Sequence, residues 1–199
     1  MRALARSFFA RDSREAAPEL IGMRLHLPAD GIIVRIVEVE AYAGREDPAA
    51  HSFRGETPRT RVMFGPPGHA YVYFNYGMHW ALNAVSGAHN GHGILIRAAE
   101  PLEGIERIRE RRHSGQKKLP NDFELLRGPG NLSKGLGITG ADGGTDLCSV
   151  DSRFFIEDTP PSKHVVIASP RVGIREAVDE PWRFSLAGSR YVSRPVPRG

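Results

Sequence analysis

A short apolar segment near the N-terminus carries two closely spaced glutamates. It reads IVEVEAY, ending at Tyr42, and its β-branched residues predict a strand. Because side chains alternate between the faces of a strand, Glu38, Glu40 and Tyr42 should share one face. Val34 and Ile36 should lie on that face too. Two carboxylates on a partly apolar face are costly unless they are exposed or paired. The segment could therefore hold a general base at the floor of a cleft, or two ordinary glutamates at a solvent-facing strand end.

A second unusual segment, YVYFNYGMHW, occupies residues 71–80. Six of its ten side chains are aromatic, counting the histidine, which is more than one sheet face needs for a core. Alternation places Tyr73 and Tyr76 on opposite faces, so the two cannot share one role in a regular strand. At the tip of a hairpin, Tyr76 could act as a wedge between stacked bases in the minor groove. The alternative is a tyrosine-rich cross-strand ladder that binds nothing.

Other motifs are weaker candidates for chemistry. His89 and His92 flank an Asn-Gly turn, and two histidines alone do not make a zinc site, so we expect no metal there. Ser133 has no G-x-S-x-G context. The glycines at 128, 130, 135 and 137 miss the dinucleotide and Walker spacings, although they could form a weak anion-binding turn.

The elements that must position these residues are mostly strands. Strands are predicted at 31–42, 70–76, 79–86, 93–98, 153–156, 164–169 and 182–186. One helix should begin at Asp12 or Ser13, or else at Pro18, and end at Gly22. A second should begin at Pro101 and run to about residue 112, and a short third one should span 132–136. This order predicts an α+β fold with a largely antiparallel sheet.

Length and composition narrow the class of protein. The chain has 199 residues, 40% of them hydrophobic, which fits one domain spanning 1–199. The single cysteine, Cys148, excludes an internal disulfide framework. Without a membrane-length apolar run or a secretory core near the start, we expect a soluble protein of the cytoplasm. The net charge is +4, and basic residues concentrate in 107–118 and in the C-terminal tail, as a solvated face or as a surface for an anionic partner.

Six sequence blocks, taken in order, resemble the alkyladenine (3-methyladenine) DNA glycosylase family. They are IVEVEAYAGREDPAAHS at 36–52, TPRTRVMF at 57–64, YVYFNYGMHWALN at 71–83, IRAAEPLEG at 96–104, GPGNLSKGLGI at 128–138 and RVGI at 171–174. Each block alone is weak, but their order and spacing match over about residues 17–193. The resemblance implies a single mixed domain with a curved antiparallel sheet, a roll or open barrel, with peripheral helices and a protruding β-hairpin.

The resemblance also implies an activity. The family flips a damaged purine out of duplex DNA and hydrolyses the N-glycosidic bond with water, leaving an abasic site. Glu40 matches the base that activates the water, and Arg97 and the Val172 carbonyl match the groups that hold it. The implied substrates are 3-methyladenine, 7-methylguanine, hypoxanthine and ethenoadenine. The implied enzyme is a monomer that needs no cofactor and no metal and binds damaged duplex DNA from the minor-groove side, without a membrane.

Further positions match the family's base pocket and DNA-contacting surface. Tyr42, His51 and Tyr73 match the aromatic walls that sandwich the flipped base, and Asn83 matches the residue that rejects normal guanine. Tyr76 matches the side chain that fills the gap left in the duplex. The positions expected to contact DNA around it are Thr57, Arg59, Met78 and His79.

The sequence departs from the family's pattern at three places. The loop from His51 to Thr57 is shorter than the family's, and Asn131 and Asn75 replace a common lysine and a common aliphatic residue.

Two other functions remain as alternatives. A non-catalytic nucleic-acid-binding domain would need neither Glu40 nor the polar residues around it. A glycoside hydrolase would need carboxylates on opposite sides of a sugar bond, which two neighbours on one strand face cannot easily provide.

Overall fold

One open antiparallel sheet of eight strands forms the centre of the structure. The computed structural model describes residues 1–75, 77–113, 120–159 and 164–195. The strands are β1 (Arg24–Leu27), β2 (Ile32–Tyr42), β3 (Ala70–Asn75), β4 (His79–Ser86), β5 (His92–Glu103), β6 (Phe155–Ile156), β7 (Val166–Ser169) and β8 (Arg183–Leu186). Their order is β3-β4-β5-β2-β1-β6, and β8 pairs with β2 and β7. The predicted α+β class with an antiparallel sheet is confirmed, although β1 was not predicted.

Short helices accompany the sheet. They are α1 (Arg6–Phe9), α2 (Ser13–Glu19), α3 (Ile105–His113) and α4 (Pro129–Leu136). Helix α2 begins at the first of the two predicted starts because the Asp12 side chain accepts the Arg14 amide, and Pro18 lies inside the helix. No helix in the described ranges is long and apolar enough to cross a membrane.

The predicted start of α3 at Pro101 is wrong. Strand β5 continues through Pro101, which pairs with Val34, and ends at Glu103. Gly104 then adopts a left-handed φ of 72°, and the helix begins at Ile105. Because glycine reaches this conformation without steric cost, it lets the chain turn from strand to helix at this point.

Strand β2 holds the two glutamates and lies in the middle of the sheet. It pairs with β5 along one edge, and with β1 and then β8 along the other. Its register against β5 shifts between Ile36 and Glu38, where Val37 is the extra residue of a bulge. Val34 and Ile36 lie in the main core before the bulge and Val39 does so after it. The glutamates therefore lie on the face opposite the core, and the prediction that they share a face with Val34 and Ile36 is wrong.

Strands β3 and β4 form the predicted hairpin. Their pairing runs from Ala70 opposite Ala84 to Asn75 opposite His79. Gly77 has a left-handed φ of 66° in the connection, and Met78 beside it is largely exposed. Tyr76, the predicted tip residue, lies outside the described residues.

Candidate active site

Glu40 is completely buried and accepts three hydrogen bonds. Its Oε1 accepts the backbone N–H of Val172 at 2.7 Å. Its Oε2 accepts the Tyr42 hydroxyl at 2.9 Å and Nη1 of Arg97 at 3.2 Å. The exposed fraction of Glu40 is 0%, so the solvent-facing interpretation of this strand is wrong. A buried carboxylate with this many donors has a fixed orientation.

Glu38 lies beside Glu40 and is equally buried, but its partners differ. It accepts Nε of Arg97 at 3.1 Å, Nη1 of Arg183 at 3.3 Å and the Ser193 hydroxyl at 2.9 Å. Arg97 therefore bridges both carboxylates with different nitrogens, and Arg183 adds a second positive charge. Two carboxylates can remain buried side by side here because two guanidinium groups compensate them.

A cavity of about 240 Å³ lies next to Glu40. Five of the predicted residues line it: Tyr42, His51, Tyr73, Asn83 and Val172. Tyr42 and Val172 also contact Glu40 directly, so the carboxylate lies immediately behind the cavity wall. The structure thus brings the predicted base and the predicted pocket together, although they come from five separate segments of the chain.

Aromatic rings form the side walls of this cavity. The rings of His51 and Tyr73 meet edge to face, with centroids 4.4 Å apart. The Tyr71 hydroxyl lies 3.1 Å from Nδ1 of His51 and supports that ring. Tyr42 also lines the cavity. Among the described residues, its ring contacts neither the His51 ring nor the Tyr73 ring. Arg59 lies at the rim, with its guanidinium 5.5 Å from the Tyr73 ring centroid.

The aromatic side chains of the cavity wall are uncharged near neutral pH, although Arg175 and Glu176 also line the cavity. Desolvation, aided by the charge of Arg59, lowers the pKa of His51 to about 4, although part of the side chain reaches solvent. Burial raises the pKa of Tyr73 to about 12. Burial and then the Glu40 charge raise the pKa of Tyr42 well above its usual value, so its hydroxyl stays protonated and donates to Glu40. A planar ring can stack here without meeting a charged imidazole.

A buried ion pair fixes the segment that carries Val172. Both side chains of the Arg171–Asp47 pair have 0% exposure. Nη2 of Arg171 donates to Oδ1 of Asp47 at 2.9 Å, and Nη1 donates to Oδ2. The Arg171 guanidinium also lies between the rings of Tyr42 and Trp182, 4.7 Å and 4.9 Å from their centroids. The pair therefore positions both the Val172 amide and the Tyr42 ring.

Asn83 lies deep in the cavity wall and is itself oriented. It is directly opposite Tyr71 in the β3–β4 pairing, and its Nδ2 donates to the Tyr71 carbonyl at 3.0 Å. The sequence alone predicted no role for Tyr71, Asp47, Arg171 or Ser193. For Tyr71 a signal existed, because it precedes Tyr73 by two residues on the same strand face. The others act through long-range contacts without a local pattern.

The four other predicted DNA contacts do not form one group. Thr57 is exposed and pairs with Thr60, 2.9 Å between hydroxyls. Arg59 reaches the rim of the aromatic cavity, as described above. Met78 and His79 instead line a second cavity. Tyr76 cannot be placed with either set because it lies outside the described residues.

The two histidines of the HNGH segment make separate contacts. His89 Nδ1 lies 3.0 Å from the carbonyl of Phe64, whereas His92 is buried against Ser13. Within the described residues, no cluster of three or more histidine, cysteine, aspartate or glutamate side chains could hold a metal ion.

Comparisons with known proteins agree on one family. Residues 7–190 match the family model for Methylpurine-DNA glycosylase. A protein of Burkholderia lata is 50% identical, over 98% of this chain and 93% of its own length. Proteins of Rhodopseudomonas palustris and Nitrosospira multiformis are each 48% identical, covering 98% and 94% of this chain and 90% and 92% of their own lengths. All three carry the name "Putative 3-methyladenine DNA glycosylase".

Proposed function

The chain belongs to the methylpurine-DNA glycosylase family, and we propose that it excises alkylated and deaminated purines from duplex DNA through Glu40. The proposed substrates are 3-methyladenine, which appears in the names of the relatives, and 7-methylguanine, hypoxanthine and ethenoadenine. The observation that carries the proposal is a fully buried, oriented carboxylate immediately behind the wall of a cavity with aromatic side walls.

The aromatic cavity would bind the damaged base after it leaves the duplex. Flipping costs a few kcal/mol, and stacking on aromatic rings contributes about 1–3 kcal/mol per base, so the two are of similar size. The base would lie between Tyr42 on one side and the His51–Tyr73 pair on the other. A neutral His51 matters for this step, since alkylation at N3 or N7 makes a purine cationic and an imidazolium would repel it. Asn83 would reject guanine through its 2-amino group.

Glu40 would activate water for the hydrolysis. The carboxylate accepts a proton from a water molecule, whose oxygen forms a bond to C1′ while the C1′–N bond breaks and its electron pair leaves with the base. A positioned general base contributes about 10²–10⁴-fold, and the negative charge also stabilises the cationic sugar in the transition state. Arg97, Tyr42 and the Val172 amide support this role because they fix both carboxylate oxygens. The Val172 carbonyl and Arg97 would hold the water.

The hairpin would enter the minor groove of the DNA. Tyr76 is proposed to fill the gap left by the flipped nucleotide, with Met78 and His79 beside it, and Thr57 and Arg59 contacting the strand near the base cavity. We propose that the protein acts as a monomer, because one hairpin and one cavity suffice for one lesion.

Excision from labelled duplexes tests the proposal. Each duplex carries one hypoxanthine, ethenoadenine or 7-methylguanine and is treated with mild alkali, which cuts at abasic sites; released 3-methyladenine is measured from alkylated DNA. We expect strand cleavage on lesion duplexes only, and only after alkali, because a water-dependent enzyme leaves the backbone intact. Binding without cleavage of any lesion would contradict the proposal and favour a non-catalytic DNA-binding domain.

A further inference from the structure

A second cavity lies on the other face of the β3–β4 hairpin. Its volume is about 570 Å³, and Phe74 and Trp80 line one side of it. Tyr73 and Asn75, the neighbours of Phe74 along β3, line the aromatic cavity instead. Strand alternation therefore makes the hairpin a wall between the two cavities. Helix α4 and the residues that follow it form the opposite side of the second cavity.

Arg112 lines this second cavity as a buried cation without a counterion. It lies near the end of α3, its exposed fraction is 5%, and it has no ion pair or hydrogen bond to any described residue. Burial alone lowers the pKa of its guanidinium. The segments outside the described ranges contain no aspartate or glutamate, so no acidic side chain remains to compensate it. The expectation that basic residues 107–118 form a solvated face is therefore wrong for Arg112.

Other hydrogen-bond donors without acceptors surround the same cavity. Ser133 has an exposed fraction of 1%, and its hydroxyl has no partner among the described residues. The backbone amides of Gly130 and Asn131 lie in the first turn of α4. They donate to no backbone carbonyl among the described residues. A helix N-terminus also carries partial positive charge. All of these groups would favour an anion.

The hairpin and the start of α4 are in close contact. A Cβ atom on Gly130 would lie 2.6 Å from the His79 ring, so only glycine lets the first turn of α4 approach the hairpin this closely. A Cβ atom on Gly140 would likewise lie 2.6 Å from the Trp80 ring. Gly130, one of the glycines considered for an anion-binding turn, thus brings α4 against the hairpin, and Gly140 does the same for the segment after the helix.

We propose that the second cavity binds one backbone phosphate of the DNA, through Arg112, Ser133 and the first turn of α4. An unpaired buried charge is strongly unfavourable, and an anion that enters the cavity removes that penalty. Arginine and free amides are typical phosphate ligands. The choice of DNA as the source of the phosphate rests on the proposed function. The duplex backbone would lie on the opposite side of the hairpin from the flipped base.

Binding to undamaged duplex, measured by fluorescence anisotropy at several salt concentrations, tests this proposal without requiring excision. Arg112→Gln should weaken binding about tenfold and reduce the slope of log K against log salt by about 0.9, the share of one phosphate contact. Arg112→Lys should keep the slope because it keeps the charge. Arg109→Gln is the matched control on the same helix, since Arg109 pairs with Asp122 at 2.8 Å and should leave the slope unchanged.

Thermal unfolding without DNA separates phosphate binding from a structural role. Arg112→Gln should leave the Tm unchanged or raise it, since it removes an unpaired buried charge. Sodium phosphate should raise the Tm of the unsubstituted protein more than that of the variant, at ionic strength matched with sodium chloride. An unchanged slope in folded Arg112→Gln, or a lower Tm, would overturn the proposal. A phosphate effect on Tm with an unchanged duplex slope would overturn the assignment to DNA.

Discussion

The two faces of the β3–β4 hairpin differ in how their buried arginines are compensated. Behind the aromatic cavity, Arg97 contacts Glu38 and Glu40, and Arg183 contacts Glu38 as well. At the second cavity, Arg112 is as buried as these two arginines but has no acidic partner among the described residues. The first site is complete before DNA arrives, whereas the second lacks one negative charge.

This difference corresponds to the two proposed roles, catalysis at the first site and phosphate binding at the second. A transition state is best stabilised by groups that are already fixed, which requires charges that balance each other within the protein. A phosphate-binding site instead gains most when an anion supplies the missing charge.

The largest effect is expected from Glu40→Gln. Both carboxylate oxygens accept hydrogen bonds, so glutamine places an amide nitrogen against a donor and removes the base. Single-turnover excision should fall by about 10²–10⁴-fold, while affinity for lesion DNA changes little. Glu46→Gln is the matched control, because Glu46 is exposed and pairs with Arg14 at 3.0 Å, away from the Glu40 carboxylate. Retained excision in Glu40→Gln would remove Glu40 from the proposed role.

Asp47→Asn should cause the next largest effect, on stability. It leaves Arg171 buried without its charged partner, which typically costs about 3–5 kcal/mol of the free energy of unfolding. Asp122→Asn, at a half-exposed pair, should cost at most about 1 kcal/mol. Urea titration measures both. If Asp47→Asn lowers the free energy of unfolding no more than Asp122→Asn does, the Arg171–Asp47 ion pair does not support the aromatic cavity. The difference between the two faces of the hairpin would then have no energetic basis.

Tyr42→Phe should have a smaller effect, confined to the chemical step. It keeps the ring that would stack on the base and removes the hydroxyl that donates to Glu40 at 2.9 Å. One hydrogen bond to a charged group corresponds to about a tenfold loss in single-turnover rate. Tyr191→Phe, away from both cavities, should leave the rate unchanged. If Tyr42→Phe weakens binding without slowing excision, the hydroxyl does not orient Glu40.

The smallest effect should appear in the dependence of stability on pH. The pKa of His51 is about 4 in the folded protein and about 6.5 in the unfolded chain. Between these values only the unfolded chain binds the proton, so this residue's contribution to stability should fall as the pH drops from about 6.5 to 4. The difference in Tm between His51→Asn and the unsubstituted protein should therefore shift in favour of the variant. His113→Asn is the exposed control, and a constant difference would contradict an uncharged His51 in the folded protein.

The sequence predicted the elements with a clear local pattern. The strands β2, β3 and β4 agree within about one residue, since alternating apolar and β-branched residues bounded by glycines mark their limits. Strand β1, with its four residues, was not predicted, because a short run between turns has no distinctive period. The helix predicted from Pro101 failed because pairing with β2 extends β5 beyond the proline. Tertiary contacts outweighed local preference there.

The site was predictable in its residue types and less so in its arrangement. Spacing placed Glu38, Glu40 and Tyr42 on one face, and the structure agrees. It could not reveal the bulge at Val37 that turns this face away from the core. Contacts between distant segments, such as Arg171 with Asp47, have no local signature. A buried, unpaired Arg112 could not be distinguished from its exposed neighbours by charge alone.

We propose that chemistry and phosphate binding lie on opposite faces of the β3–β4 hairpin. The most direct test is single-turnover excision of hypoxanthine, measured against enzyme concentration for Glu40→Gln and Arg112→Gln. Glu40→Gln should lower the plateau rate and change the half-saturating concentration little. Arg112→Gln should raise the half-saturating concentration about tenfold and affect the plateau much less. If both variants change both parameters in the same proportion, the two faces do not have separate roles.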